Sequence, residues 1–262
     1  MKEQTTQQHK QYKILLIGDN CIDEYHYGSV KRISPEAPVP VFEPHGLVVK
    51  EGMAGNVKKN LEALGCQVHF VSNTTSEGKI SKKMRYIDER SKQHIIRIDE
   101  DRQVQPVLYN FMSQDKINEF DAIVISDYNK GAVDYDLVEH LIKTVNPPIF
   151  IDTKKPNLAF FNGCYVKINA LERSQARTLP YSEWLITTHG EKGAMYNGES
   201  FFPEKVGDVV DVCGAGDTFL AALAYKFVET KDIRQAIKFA NKAAAITVQH
   251  IGVYAPMLGE IK

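Results

Sequence analysis

The feature that most constrains this chain is a short glycine turn between a strand-like segment and a helix. Residues 206–210 are β-like, residues 214–216 read Gly-Ala-Gly, and a continuous helical pattern begins at Phe219. Small residues before a helix let backbone N–H groups approach an anion, and the positive end of the helix favours negative charge. Asp217 would repel a bound phosphate unless it accepts a proton from an attacking hydroxyl, so the stretch indicates phosphoryl transfer. The competing interpretation is a plain helix N-cap, because Asp is a good capping residue.

Strand-like and helix-like segments alternate along the rest of the chain, and strand after strand ends in a polar or glycine turn. This alternation predicts an α/β fold with a mainly parallel sheet that is covered by helices on both faces. The turns at the carboxyl ends of such strands meet at one edge of the sheet, where α/β proteins bind ligands. Core strands are predicted at 13–17, 67–71, 121–126, 148–151, 164–168 and 184–187. Helices are predicted at 52–64, 136–144, 216–229 and 233–249, and a hairpin turn at 197–198.

The composition argues against several classes of partner. The 32 Lys and Arg residues oppose 33 Asp and Glu, so the net charge gives no reason to expect nucleic acid or an anionic membrane. No apolar run approaches the roughly 20 residues of a membrane span. Residues 1–11 are polar and predict a disordered tail rather than a signal peptide. The four cysteines form no CxxC pair, which fits a reducing cytoplasm.

Two segments in the first half of the chain look like a flap outside the main sheet. Three prolines within residues 35–40 force an extended path, and residues 39–49 resemble edge strands. Residues 84–98 are predicted to form a second pair of strands around a polar turn. The stretch 79–97 is the most basic part of the chain. Such a run is usually a solvated face, and its functional interpretation is capture of a substrate phosphate.

Two polar side chains have interpretations that the sequence leaves open. Asp23 follows the first predicted strand, so it could bind substrate hydroxyls or be a solvated loop acid. Asn56 lies at the start of the first predicted helix and could be a cap or a ligand contact. The glycine-rich turn at 52–56 does not read G-x-G-x-x-G, which excludes binding of a nicotinamide dinucleotide.

Several stretches of the chain are similar to one family of enzymes. They are GDNCID at 18–23, RISPEAPVP at 32–40, IRID at 96–99, SDY and KG within 126–131, and DVCGAGDTF at 211–219. Together they resemble the ribokinase family of carbohydrate kinases, also called the pfkB family, and within it the branch that acts on D-glycero-D-manno-heptose 7-phosphate. The resemblance implies a ribokinase-like three-layer sandwich in a single domain, residues 12–262, with a small β lid from about 38–50 and 84–98.

The resemblance also implies a role for individual residues. Asp217 would be the general base, and Glu172 would hold Mg²⁺ through water. The implied anion hole consists of the backbone N–H groups of Gly214, Ala215 and Gly216. The implied contacts to a sugar phosphate are Asp23, Arg32, Gly52, Asn56, Lys83, Arg85, Arg97, Asp127 and Lys130. The implied contacts to a nucleotide are Asn169, Thr188, Gly190, Gly193 and Asn241.

The implied reaction is ATP-dependent phosphorylation of the anomeric hydroxyl of the heptose 7-phosphate, giving the 1,7-bisphosphate for a surface glycan. ATP and Mg²⁺ are the implied cofactors, and a monovalent cation near Ile251-Gly252 is left open. A homodimer through the lid is expected, because exposed edge strands invite pairing. Two alternatives remain: a kinase for another sugar or a nucleoside, and a truncated relative that binds sugar or nucleotide without catalysis.

The chain departs from the family pattern at three places. The segment between Val71 and Met84 is much shorter and lacks a helix and a strand of the family. Met53 stands where the family has a second glycine, so its side chain could crowd the sugar, and Cys213 stands in place of a threonine. The chain also has no H-x-G-H nucleotidyltransferase motif, so it resembles only the kinase half of the bifunctional heptose enzymes. These departures affect the expected acceptor and rate, and they leave Asp217 and the glycine turn in place.

Overall fold

The computed structural model describes residues 11–203 and 209–261, and these residues form two β-sheets with helices around the larger one. The strands are β1 Lys13–Gly18, β2 Asn20–Ile33, β3 Pro40–Met53, β4 Gln67–Val71, β5 Ser81–Asp88, β6 Gln93–Glu100, β7 Ala122–Asp127, β8 Ile149–Thr153, β9 Cys164–Asn169, β10 Leu185–Thr188, β11 Ala194–Tyr196 and β12 Glu199–Phe201. The helices are α1 Ala54–Ala63, α2 Gln114–Ile117, α3 Tyr135–Thr144, α4 Ala170–Gln175, α5 Ala215–Thr230 and α6 Ile233–Thr247.

The larger sheet has eight strands in the order β12-β11-β10-β9-β8-β7-β1-β4. The six strands from β10 to β4 are parallel, and β11 and β12 add an antiparallel hairpin at one edge. Asn197 and Gly198 in its turn both have positive φ, as the favoured two-residue hairpin turn requires. All six predicted core strands and the hairpin are therefore present.

Alternate residues of the central strands point to opposite faces of the larger sheet. In β1, Ile14 and Leu16 join a core cluster with α1, α5 and α6, whereas Leu15 and Ile17 join a second cluster with α3. All four of these β1 side chains are fully buried. A strand that is apolar on both faces needs a helical layer on each side. This arrangement confirms the three-layer α/β prediction.

The second sheet, which we call the small sheet, has four strands in the order β3-β2-β5-β6. It contains both segments that the sequence assigned to a lid, at 38–50 and 84–98. The strand β2, which pairs with both β3 and β5, is not predicted from the sequence, because polar residues interrupt its alternation. The alternative of a solvated loop acid at Asp23 is wrong, since Asp23 lies within β2 and is only 4% exposed.

Other predictions fall at the limits of the described residues. Residues 1–10, which are most of the predicted tail, and residues 204–208, which include the first three residues of the predicted β-like segment 206–210, lie outside them. The described remainder of that segment, Val209 and Val210, is not a strand, so the prediction is wrong there. The shortened stretch after β4 turns at residues 75–78 and leads directly into β5. Among the described helices, none is long and apolar enough to cross a lipid bilayer.

Candidate active site

The turn that begins α5 is built on a glycine whose backbone is in the left-handed region. Gly214 is the N-cap of α5 with φ +79°, a conformation that favours glycine. A Cβ atom at this position would lie 2.9 Å from Asn56 Nδ2 and 3.1 Å from Val253. The N–H of Ala215 donates to the carbonyl of Val212 at 3.3 Å, so this member of the predicted anion hole already has a weak partner. The N-cap is therefore Gly214, and the alternative interpretation of Asp217 as the cap is wrong.

Asp217 lies in the first turn of α5 with its carboxylate enclosed by two donors. Asn56 Nδ2 donates to Oδ2 at 2.8 Å, and the Tyr128 hydroxyl donates to Oδ1 at 2.9 Å. Burial raises the pKa of Asp217 to about 6, although the Asn56 hydrogen bond acts in the opposite direction. A carboxylate with this pKa is ionised near neutral pH and is a stronger base than an exposed Asp.

Asp23 of β2 and Arg85 of β5 form a buried ion pair within the small sheet. Arg85 Nη1 donates to Asp23 Oδ1 at 2.8 Å, and both side chains are less than 10% exposed. A side chain at Gly52 would overlap the Asp23 carboxylate, so only glycine permits this close approach of β3 to β2. The structure thus brings three predicted substrate residues together with Asn56, which lies one turn further along the chain.

The other predicted substrate residues lie in different surroundings. Lys83 Nζ lies 5.2 Å from the ring centre of Tyr128, the residue whose hydroxyl binds Asp217. Arg97 is directly across from Arg85 in the sheet register, but it pairs with Asp99 at 2.7 Å. Lys83 and Arg97 therefore lie on the same face of the small sheet as Asp23 and Arg85, and we call this the inner face.

Arg32, Asp127 and Lys130 are not part of this group. Arg32 is exposed near the far end of β2, nine residues and roughly 30 Å of strand beyond Asp23. Asp127 accepts a hydrogen bond from Thr153 at 2.6 Å and is 1% exposed. Its side chain therefore links the carboxyl end of β7 to that of β8. Lys130 Nζ pairs with Asp101 at 2.5 Å.

A cleft of about 930 Å³ opens on the other side of the glycine turn, beside α6. Its lining includes four of the predicted nucleotide residues together with residues of the turn and of α5. These lining residues include Thr188, Gly190, Gly193, Gly216, Phe219 and Asn241. Asn241 donates from Nδ2 to the carbonyl of Phe201 at 2.8 Å, so its amide ties α6 to β12 at the wall of the cleft. The predicted nucleotide residues thus converge, with the exception of Asn169.

Asn169 and Glu172 form a capping box at the start of α4. The Glu172 carboxylate accepts the N–H of Asn169 at 2.7 Å, and Asn169 Oδ1 accepts the N–H of Glu172 at 2.8 Å. The other Glu172 oxygen forms an ion pair with Lys154, which also lies 3.9 Å from Asp152 Oδ1. That Asp152 oxygen is buried and has no hydrogen-bond partner. Glu172 and Asp152 thus both lie near the Lys154 ammonium, and a pair of carboxylates is a common protein ligand set for Mg²⁺.

The described residues contain no group of three or more His, Cys, Asp or Glu side chains placed to hold a metal ion. Glu172 and Asp152 could therefore supply only part of a magnesium shell, with water and phosphate oxygens completing it, which fits the predicted indirect contact. Asp211 accepts the N–H groups of Cys213 at 3.0 Å and Gly252 at 2.8 Å. Asp211 thus links the turn to Gly252, beside the expected position of a monovalent cation.

Sequence reasoning missed three residues of this site. Lys167 Nζ donates to Asp152 Oδ2 at 2.6 Å and would lie 2.9 Å from a Cβ at Gly216, directly beneath the glycine turn. Tyr128 was noted only as part of a motif, and its contact with Asp217 was not foreseen. Asp152 and Lys167 both lie on strands that end at the ligand edge, and this position is the signal that could have identified them.

Comparison with known proteins finds chains of similar sequence. The chain is 31% identical over 299 residues to the bifunctional protein HldE of a Nitratiruptor species, which covers 95% of this chain. The model of the family described as "pfkB family carbohydrate kinase" matches residues 158–258 of this chain. This range contains Glu172, the cleft loop at 188–193 and Asp217. The similarity to pfkB carbohydrate kinases thus rests on a match of residues 158–258 to the family and on 31% identity to HldE over 95% of the chain.

Solved structures of the ribokinase type share the fold of this protein. Ribokinase from Thermotoga maritima has a TM-score of 0.69 and 18% identity, covering 95% of this chain and 98% of that one. Arabidopsis thaliana ribokinase, solved with ribose and ATP, has a TM-score of 0.68 and 18% identity over 96% of this chain and 98% of that one. The chain spans 64% of the length of the HldE relative.

Proposed function

We propose that this protein transfers the γ-phosphoryl group of ATP to the anomeric hydroxyl of D-glycero-D-manno-heptose 7-phosphate. The observation that carries the proposal is the position of Asp217. Its buried carboxylate lies between a cleft lined by the predicted nucleotide residues and a basic sheet face lined by the predicted substrate residues. A base at such a junction can reach a hydroxyl on one side and a phosphoryl group on the other.

In this reaction Asp217 accepts the proton of the anomeric hydroxyl while the sugar oxygen attacks the γ-phosphorus. One P–O bond forms to the sugar, and the bond between the γ-phosphorus and the bridging oxygen breaks to release ADP. The first-turn N–H groups of α5 and the ammonium of Lys167 supply positive charge beside the turn. Glu172 and Asp152 would hold Mg²⁺, which supplies charge neutralisation to the triphosphate.

The inner face of the small sheet supports a phosphorylated acceptor. In the sheet register, Lys50, Asp23, Lys83 and Asp99 form one row, and the next row contains Arg85 and Arg97. Four cations therefore face two carboxylates, which leaves a net charge of +2. Arg85 and Arg97 have acidic partners, whereas Lys50 and Lys83 form no salt bridge with any described residue. These two ammonium groups are suited to the dianionic 7-phosphate of the acceptor.

The test is ADP release with a panel of acceptors: heptose 7-phosphate, the same heptose without phosphate, ribose and inosine. We expect turnover with heptose 7-phosphate and a loss of about a thousandfold in Asp217→Asn, because a positioned base contributes on that order. Asp115→Asn, at an exposed position on α2, is the matched control. Equal activity of Asp217→Asn and wild type would rule out the mechanism.

The acceptor panel separates the proposal from its alternatives. Preference for ribose or inosine would identify a different acceptor, and binding without ADP release would identify a non-catalytic relative. Lys83→Ala should raise KM for heptose 7-phosphate by about tenfold and leave KM for the unphosphorylated heptose unchanged. The reason is that only the first substrate has a phosphate for the Lys83 ammonium to bind. An equal change for both substrates would contradict the assignment of Lys83 to the phosphate.

We further propose a homodimer through the outer face of the small sheet. Leu47, Val49, Ile96 and Ile98 lie on this face and are 55%, 56%, 53% and 40% exposed. In the register, Leu47 and Ile96 flank a stacked pair of His26 and Tyr86, so apolar and aromatic groups run across the sheet. A contiguous exposed apolar face of this kind favours association with a second copy.

A further inference from the structure

One side chain, Tyr128, contacts three parts of the site at once. It follows β7, and its hydroxyl donates to Asp217 Oδ1 at 2.9 Å. Two ammonium groups lie over its ring, with Lys83 Nζ 5.2 Å and Lys154 Nζ 5.4 Å from the ring centre. Lys83 belongs to the acceptor side of the site, and Lys154 forms the ion pair with Glu172. Tyr128 thus joins the base to both charged sides of the site.

The hydroxyl of Tyr128 is a permanent donor. Burial first, and the neighbouring Asp217 second, raise the pKa of Tyr128 well above its ordinary value, so the phenol remains protonated at any pH at which the enzyme works. Asn56 binds the other oxygen of Asp217, so the two donors together fix the plane of the carboxylate. The ring fixes the position of the phenol oxygen, so moving that oxygen away from Asp217 would also move the ring away from the two lysines.

We propose that Tyr128 is the positioning residue of the general base: its hydroxyl keeps the Asp217 carboxylate ionised and aimed at the acceptor. This inference rests on the proposed function of Asp217. The remaining charged or titratable groups near Asp217 come from β2, from the end of β8 and from β9. They are Cys21, Asp152, Lys154 and Lys167. Asp152 opposes ionisation of Asp217 and Lys167 favours it, so neither replaces the directed hydrogen bond of Tyr128.

Tyr128→Phe separates the hydroxyl from the ring. Phenylalanine retains the contact with the two lysines and removes only the hydrogen bond to Asp217. Ionisation of the buried carboxylate then becomes harder, and the acidic limb of the kcat profile should move upward by about one pH unit. The loss in kcat should be about tenfold at pH 6 and should shrink to about threefold or less at pH 8.5, where the base is ionised in both proteins.

The matched control is Tyr135→Phe, since the Tyr135 hydroxyl accepts the N–H of Asn157 at 3.3 Å and does not touch Asp217. Its pH profile should coincide with that of wild type. A second measurement needs no turnover: the carboxyl carbon of Asp217, labelled with ¹³C and assigned by its loss in Asp217→Asn, is titrated in the free protein. The titration midpoint should rise in Tyr128→Phe.

Two results would overturn the inference. One is a Tyr128→Phe protein whose acidic limb and ¹³C midpoint are both those of wild type. The other is a loss of kcat that is equally large at pH 6 and pH 8.5, which would make Tyr128 a structural residue only. If Asp217→Asn were fully active, the proposed function would fail, while the ¹³C titration would still report on the Tyr128 hydrogen bond separately.

Discussion

Asn56 Nδ2 lies 2.8 Å from Asp217 Oδ2, although 161 residues separate the two in the chain. Each residue lies in the first turn of a helix that follows a glycine-rich turn, and α1 and α5 pack side by side. A buried chain of hydrogen bonds continues from Asn56 through Asn60 to Thr218. The two glycine turns are therefore held in one rigid unit around the base, and a disturbance of either turn should reach Asp217.

Asp217→Asn should lose activity and gain stability relative to wild type as the pH rises. Its pKa of about 6 in the folded protein lies above the ordinary value of 3.8, so the folded state holds the proton more tightly than the unfolded state. Wild-type stability from this group therefore falls as pH rises from about 4 to about 6. Between pH 5 and pH 8, the free energy of unfolding of Asp217→Asn relative to wild type should rise by about 1.4 kcal/mol.

Urea unfolding at pH 5 and pH 8 measures the difference in the free energy of unfolding between Asp217→Asn and wild type. Asp232→Asn is the control, because hydrogen bonds from Gln235 and the first-turn amides lower the pKa of the Asp232 carboxyl. That carboxyl is ionised in both states throughout this range, so the control should show no such trend. A gap between Asp217→Asn and wild type that is independent of pH would contradict the raised pKa of Asp217.

Replacing only one partner of the buried ion pair of Asp23 and Arg85 should destabilise the fold. Asp23→Asn or Arg85→Met alone leaves an uncompensated buried charge, and each should lower the free energy of unfolding by about 3 kcal/mol. The double variant should recover a large part of that loss. The control is the half-exposed pair of Arg234 and Glu199, at 2.8 Å, whose loss should lower the free energy of unfolding far less because water screens exposed charges. Additive losses at Asp23 and Arg85 in the denaturation cycle would argue against coupling.

Gly216→Ala should uncouple folding from catalysis. A methyl group there would lie 2.9 Å from Lys167 Nζ and would push the ammonium away from the turn. Because alanine is a better helix former than glycine, the melting temperature should stay level or rise, while kcat falls by about tenfold or more. Gly214→Ala is the contrasting variant, since its positive φ and the crowding of Asn56 should lower both quantities. Wild-type kcat in Gly216→Ala would exclude a role for Lys167 at the turn.

Charge on the outer face of the small sheet should prevent the proposed dimer. We expect the double variant Leu47→Glu and Ile96→Glu to have the mass of a monomer by light scattering, because buried carboxylates would repel across the interface. Met257→Glu, at a residue 62% exposed and outside the small sheet, is the matched control and should leave the mass unchanged. A wild-type protein that is already monomeric at micromolar concentration would contradict the proposal.

The sequence was sufficient for the larger sheet because its strands are short, apolar and followed by turn residues. The small sheet was harder to predict: β2 carries Cys21, Asp23 and Tyr25 on its inner face, and such a mixture gives no clear alternation. Asp23 is buried because Arg85 from another strand compensates its charge, and no local pattern can reveal that partner. The segment 206–210 shows the opposite error, since its β-like residues at 209 and 210 pair with no strand.

What the sequence alone determined is local: the turn at 214–216, the position of Asp217 in the helix that follows, and the alternation that requires a covered parallel sheet. Tertiary structure alone decided which groups surround the carboxylate. Asn56, Tyr128 and Lys167 reach it from α1, from the end of β7 and from β9, so the raised pKa of Asp217 is a property of the assembled site. The physical reason is that burial and directed hydrogen bonds depend on distances between segments far apart in sequence, whereas turns and helix starts depend on neighbouring residues.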